Sequence, residues 1–137
     1  MALETTLVVE TSTPVSFTCA DGTAIPKGSI LKVADLAVVS ITAGDTDLVI
    51  GIAAEEKIAN DGRTSIGVYM NGIFKGYAGA AGTTAGRAII TDSSTGAANE
   101  LVIADTNSES VVGRALETAT DTQSFLFHLN PSTMELV

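Results

Sequence analysis

Short β-branched and apolar runs, each stopped by a Gly, Asn or Asp corner, recur along the whole 137-residue chain, and no window sustains an apolar stripe at helical spacing. Nine of them read as strands: SILKV (29–33), LAVVSI (36–41), LVIGIA (48–53), TSIGVYM (64–70), IFKGYA (73–78), RAIIT (87–91), ELVIA (100–104), VVGRALE (111–117) and SFLFHL (124–129). Between them stand Asp21-Gly22, Ala43-Gly44-Asp45, Asn60-Asp61-Gly62, Asn71-Gly72, Asp92-Ser93-Ser94-Thr95-Gly96 and Asp121-Thr122. β-Branched side chains pack well on a pleated surface, and glycine or asparagine accepts the backbone angles of tight corners. Many short strands at close spacing predict an all-β fold, a small β-barrel or β-sandwich. The nearest approach to a helix is AAEEKIAN (53–60), closed by Asn60-Asp61-Gly62, so at most one short helix is expected.

Alternation within the runs assigns faces. Phe125, Phe127 and Leu129 share one side of a strand opposite Ser124, Leu126 and His128, and Ile66, Val68 and Met70 share another opposite Ser65, Gly67 and Tyr69. The two apolar sets are core candidates, each side chain worth roughly 1.5–3 kcal/mol when buried. Asn71-Gly72 favours the positive φ angles of a tight turn and is read as a turn or bulge joining Ile66–Met70 to Ile73–Ala78.

The order of elements also runs twice. Pro26-Lys27-Gly28-Ser29-Ile30-Leu31 resembles Thr84-Ala85-Gly86-Arg87-Ala88-Ile89, and Val49-Ile50-Gly51-Ile52-Ala53 resembles Val111-Val112-Gly113-Arg114-Ala115-Leu116. Each half closes on a more aromatic strand. An internal duplication and the reuse of one corner device in a barrel both account for this. Residues 1–18 stand outside the pattern, rich in Thr, Ser and Val and interrupted by Pro14. They read as an extended arm able to add as a strand to another chain's sheet edge, or as the barrel's own first strand. The expected organisation is an arm over 1–18 and one β-barrel domain over 19–137.

Composition narrows the function. Sixteen acidic against seven basic residues give a formal net charge of −9, which repels nucleic-acid phosphate. The N-terminal MALETTLVVE has no basic n-region, so a secretory signal is not expected, and LVIGIAA (48–54) is too short to span a bilayer. Cys19 is the single cysteine, a small packed side chain rather than part of a disulfide or zinc site.

No arrangement of residues carries catalysis. GYAGAAGTTAGR (76–87) has neither the spacing nor the lysine of a phosphate-cradling loop. His128 is the single histidine, on the outward face of a strand, and Lys27 and Ser29 lack the Ser-x-x-Lys arrangement. Asp45 and Asp47 could share a divalent cation, but the residues an EF-hand needs do not follow, and a solvated hairpin tip explains them better. Glu55-Glu56 reads as solvated surface. Lys75 is faintly like a carrier-domain lysine but lies in the return strand. No catalytic residue, cofactor or metal is expected.

The run Val49-Ile50-Gly51-Ile52-Ala53-Ala54-Glu55-Glu56, followed by Thr64-Ser65-Ile66-Gly67-Val68-Tyr69-Met70-Asn71-Gly72-Ile73-Phe74-Lys75, resembles the central hairpin of phage lambda-type head decoration proteins. There a Val-Gly-Ile-Leu-Ala strand precedes a strand ending in aromatic-x-Ser-Gly-x-Phe-Arg. The flanking Ala24-Ile25-Pro26-Lys27-Gly28-Ser29-Ile30-Leu31 and Val112-Gly113-Arg114-Ala115-Leu116-Glu117 are similar to related capsid cement proteins of other tailed viruses. The resemblance implies a β-rich, β-tulip-like domain, made in the host cytoplasm and seated, usually as a homotrimer, on the outer capsid surface of the virion. Its partners would be the major capsid protein and itself, with no nucleic acid and no membrane. The function it implies is to clamp neighbouring capsid subunits, with an N-terminal arm that extends a capsid sheet. By position and composition, Leu3, Thr5, Leu7, Val8, Val9, Thr11, Thr13 and Pro14 are the candidate arm contacts. The alternatives are a tail or baseplate β-domain, and a small-ligand or metal-binding β-barrel.

Overall fold

The computed structural model describes residues 4–34, 37–42, 48–91, 99–104 and 109–134. Eleven strands run through them: β1 (Thr6–Val9), β2 (Val15–Cys19), β3 (Ile30–Ala34), β4 (Val38–Ile41), β5 (Val49–Ala53), β6 (Ser65–Tyr69), β7 (Gly72–Ala78), β8 (Ala88–Thr91), β9 (Glu100–Ile103), β10 (Glu109–Ala115) and β11 (Ser124–Met134). All nine runs expected to be extended contain a strand. The fold is all-β, and closes twice. Strands β2-β4-β3-β5-β6 form one five-stranded barrel, and β7-β9-β8-β10-β11 form a second, with β1 added beside β7.

The sequence repeat is a repeat of structure. In the first barrel β2–β6, β3–β4, β3–β5 and β5–β6 are antiparallel and β2–β4 is parallel. In the second, β7–β11, β8–β9, β8–β10 and β10–β11 are antiparallel and β7–β9 is parallel. The corners repeat too. Gly28 and Gly86 sit at φ +83° and +86°, where a side chain would be strained, and their N–H groups donate to Ala53 O and Ala115 O. The Ile25–Lys57 bridge is matched by Thr83–Ala119.

Alternation separates two interiors. Leu31, Val39, Ala53, Ile66 and Val68 pack with Cys19 and Ile25 inside the first barrel. The neighbouring Ile30, Val49 and Ile52 instead join Phe74, Leu101, Val112, Phe125, Phe127 and Leu129 of the second. Strands β3 and β5 therefore bury both faces, and β5 packs against β10 and β11. Phe127 lies between Phe74 (centroids 6.1 Å) and Phe125 (5.7 Å). Burial pushes the Cys19 thiol pKa up, keeping it protonated.

The stretch allowed for as at most one short helix does not form one, and two local expectations are corrected. Residues 53–60 are not helical: Ala54 N–H donates to Gly67 O, and Lys57 exchanges backbone hydrogen bonds with Ile25, so tertiary partners take the groups a helix would use. Met70 is not in the core; it lies past the end of β6 and is exposed. Asn71-Gly72 does not turn a hairpin, because β6 and β7 belong to different barrels and do not pair. It is the crossing between barrels. Gly72, at φ +145°, holds a backbone conformation that strains any side chain, and an added Cβ would press at 3.0 Å on the Phe74 ring and 3.2 Å on Val9 O. The boundary drawn between residues 18 and 19 falls inside β2, whose residues 15–18 pair with β6 in the first barrel.

Candidate interaction surface

The segment joining β1 to β2 runs antiparallel to the crossing and straps the barrels together. Val9 is opposite Ile73 and Val15 is opposite Val68. Between them, Thr11 Oγ1 donates to Asn71 Oδ1 at 2.5 Å, and the same oxygen lies 3.3 Å from His128 Nε2. Asn71 thus ties the strap to β11 as well as to the crossing. Lower down, Pro14 lies over Gly67.

Strand β1 ends its sheet, pairing among the described residues with β7 alone. The register shifts between Leu7 and Val9, which makes Val8 the extra residue of a bulge. The free edge, the start of β2 and the crossing present apolar side chains to solvent: Val8 is 51% exposed, Val9 and Val15 46%, and Met70 37%. Apolar groups gathered at an unpaired strand edge are the means by which a sheet recruits another chain.

The predicted arm residues divide. Thr5 is buried, and both its N–H and its Oγ1 donate to Gly28 O, at 3.2 and 2.6 Å. Leu7 packs against the larger core. Val8, Val9, Thr11, Thr13 and Pro14 are exposed, and Leu3 lies outside the described residues. Sequence reasoning missed Asn71 and Val15. The N-G dipeptide concealed the first, and the second was read as part of a detached arm.

Between β1, the Lys27-Gly28 corner and β5 lies a cleft of about 300 Å³, whose lining includes Thr5, Leu7, Ile52, Tyr69 and Phe74. A cluster of charged groups lies elsewhere. The buried Lys57 ammonium donates to Asp61 Oδ1 (2.6 Å), Asp21 Oδ1 (3.1 Å), Ile58 O (2.6 Å) and Asp21 O (3.0 Å). It fills the place a cation would take between these carboxylates. On the surface nearby, Arg63 pairs with Glu55. Among the described residues no three His, Cys, Asp or Glu side chains gather to hold a metal. Asp45 and Asp47 lie outside the described residues.

With a strapped double barrel and an unpaired, apolar strand edge in view, comparison with protein families matches residues 9–129 to the phage cement proteins. The chain belongs to the phage cement protein family. No curated protein matches it. As a cement-family chain it is a structural component of a phage capsid, in a family that is typically non-enzymatic. The match takes in the strap, the crossing and both barrels, from Val9 to Leu129.

Proposed function

We propose that this protein decorates the outer surface of the capsid and clamps neighbouring major capsid subunits against internal pressure, acting as a homotrimer. The segment ahead of β2 is its principal capsid-binding element. The observation that carries this reading is the free edge of β1, beside the exposed Val8 and Val9. An extended capsid segment paired there would gain main-chain hydrogen bonds along the edge and apolar contact from the valines. Binding by several arms at once raises avidity although each contact is weak. The net charge of −9 suits a surface that must resist nonspecific association.

The test is co-sedimentation with undecorated capsids. Replacing both exposed valines with lysine (Val8→Lys and Val9→Lys) puts charge on the edge without touching the buried Thr5 and Leu7. It is expected to weaken capsid binding by roughly tenfold or more, about 1.4 kcal/mol, with the fold unchanged. Deleting residues 1–13, which also removes the contacts of Thr5, Leu7 and Thr11, is expected to leave a folded but less stable domain that does not bind. Full binding by both variants would remove the arm from the mechanism. Labelled protein imaged on particles distinguishes decoration, a density repeated over the whole shell, from a tail or baseplate location.

A further inference from the structure

The contact between the two barrels is made by unlike surfaces. On the first barrel, Ile30, Ile52 and Tyr69 are successive cross-strand partners over β3, β5 and β6. This row turns away from its own interior onto the second barrel. Ile30 N–H donates to Asn99 Oδ1 (2.8 Å), Ile52 joins the larger core, and the Tyr69 ring meets Phe74 edge-on at 5.8 Å. Phe74 and Asn99 form the receiving edge.

Because the barrels repeat, every member of this contact has a counterpart. Ala88, Arg114 and His128 are partners across β8, β10 and β11, just as Ile30, Ile52 and Tyr69 are across β3, β5 and β6. Val15 faces Val68 as Phe74 faces Phe127, and Ala37 leads into β4 at φ 57° as Asn99 leads into β9 at φ 70°. Of the members that meet within the chain, Ile30, Ile52, Phe74 and Asn99 are buried and Tyr69 is half-buried, whereas none of the counterparts is fully buried. Ala88 and His128 are half-buried, Arg114 and Ala37 are exposed, and Val15 is 46% and Leu116 44% exposed. Where β7 carries β1, the matching side of β2 carries no strand among the described residues. A head-to-tail contact between unlike surfaces leaves one unused surface of each kind, and repetition gives a ring where the rotation closes and an open chain where it does not.

We propose that the row Ala88–Arg114–His128, with Leu116 beside it, docks against Val15 and Ala37 of a second copy of this chain. It repeats between chains the contact that joins the barrels within one. A second copy is the occupant because the chain already builds the matching half of this contact internally. Arg114 and His128 in place of Ile52 and Tyr69 make the outer version more polar, as suits a face that is wet before assembly. The inference deepens the self-association proposed above and rests on it, but not on the capsid-binding role of β1.

Sedimentation velocity of the full chain over a range of concentrations tests it. The wild type is expected to form a species that is a multiple of 13.9 kDa. Arg114→Glu with Leu116→Glu blocks the row, and Val15→Glu blocks the receiving edge. Each is expected to be monomeric with an unchanged circular-dichroism melt. An equimolar mixture of the two retains one intact row and one intact edge, so it is expected to form a dimer and stop there. Ile58→Glu, at an exposed position in neither surface, is expected to assemble as wild type. If a glutamate variant does not fold, Arg114→Ala and Val15→Thr replace it. A wild type monomeric at every concentration, a surface variant that assembles normally, or a mixture without dimers overturns the proposal. Variants that assemble normally but lose capsids would assign these faces to the capsid instead. The Val8 and Val9 lysine variant, scored on capsids, reports separately on the arm.

Discussion

Lys57 is nearly inaccessible to solvent, yet it is held as an ammonium. Burial lowers its pKa, but the hydrogen bonds it donates to Asp61 and Asp21 outweigh that and raise it above the ordinary lysine value. In return the Lys57 hydrogen bond draws the Asp61 carboxyl down to about 2. A depressed carboxylate pKa stabilises the fold above the unfolded-state value and loses that contribution as pH falls through the folded one. A raised lysine pKa stabilises below the unfolded-state value and loses it as pH rises through the folded one. Lys57→Met is therefore expected to lower the melting temperature at pH 7, with the gap to wild type narrowing between about pH 4 and pH 2. A gap independent of pH would mean that packing, not charge, is what Lys57 supplies. The repeat offers a second test at this scale. Asn60 (φ 62°) and its counterpart Thr122 (φ 68°) both adopt left-handed backbone, which asparagine tolerates and a β-branched residue resists. Thr122 is exposed, so Thr122→Asn is expected to stabilise by about 1 kcal/mol in urea unfolding, and a loss of stability would show that its hydroxyl compensates the strain.

Strand pairs β5–β6 and β10–β11 approach so closely that only glycine fits at one point in each. A Cβ on Gly51 would collide with Tyr69 O, and one on Gly113 with His128 O. Backbone carbonyls in a closed barrel cannot swing aside, so Gly51→Ala and Gly113→Ala are each expected to cost about 1–3 kcal/mol or more by denaturant titration. A neutral result at either would mean that the barrel opens there easily. These two glycines were legible as repeat markers, and the strands around them as strands, because alternation such as Phe125-Leu126-Phe127 records a buried and a wet face. What was not legible depended on partners distant in sequence. Asn71-Gly72 has the local chemistry of a hairpin turn, but β7 pairs with β11, more than 40 residues on, and not with the adjacent β6. Strand β1 and the strap are exposed on most positions, so they lack the pattern that betrays a barrel strand. Lys57 sits among good helix formers, and only the return of the chain past Asp21 shows why a lysine is buried there.

Two closed barrels suggest two folding units, but the side chains contradict it. The first barrel's own interior cluster contains no buried aromatic residue, while its Ile30, Val49 and Ile52 complete the cluster centred on Phe74, Phe125 and Phe127. Separating the barrels would expose that row, leave Ile30 N–H without Asn99 Oδ1, and release the strap at Thr11. Burial of each such side chain is worth roughly 1.5–3 kcal/mol, a large share of the 5–15 kcal/mol that holds an ordinary domain together. Unfolding is therefore expected to be a single transition, with calorimetric and van't Hoff enthalpies equal, under conditions where the protein is monomeric. Phe127→Ala removes a fully buried ring from the second barrel and is expected to cost about 3–5 kcal/mol. If the barrels are one cooperative unit, that loss appears equally in the hydrogen-exchange protection of Leu31 and Val68, inside the first barrel, and of Val112 and Leu129 in the second. Protection lost in the second barrel alone would show that the first survives by itself, and that the shared row is a docking surface, not a common core.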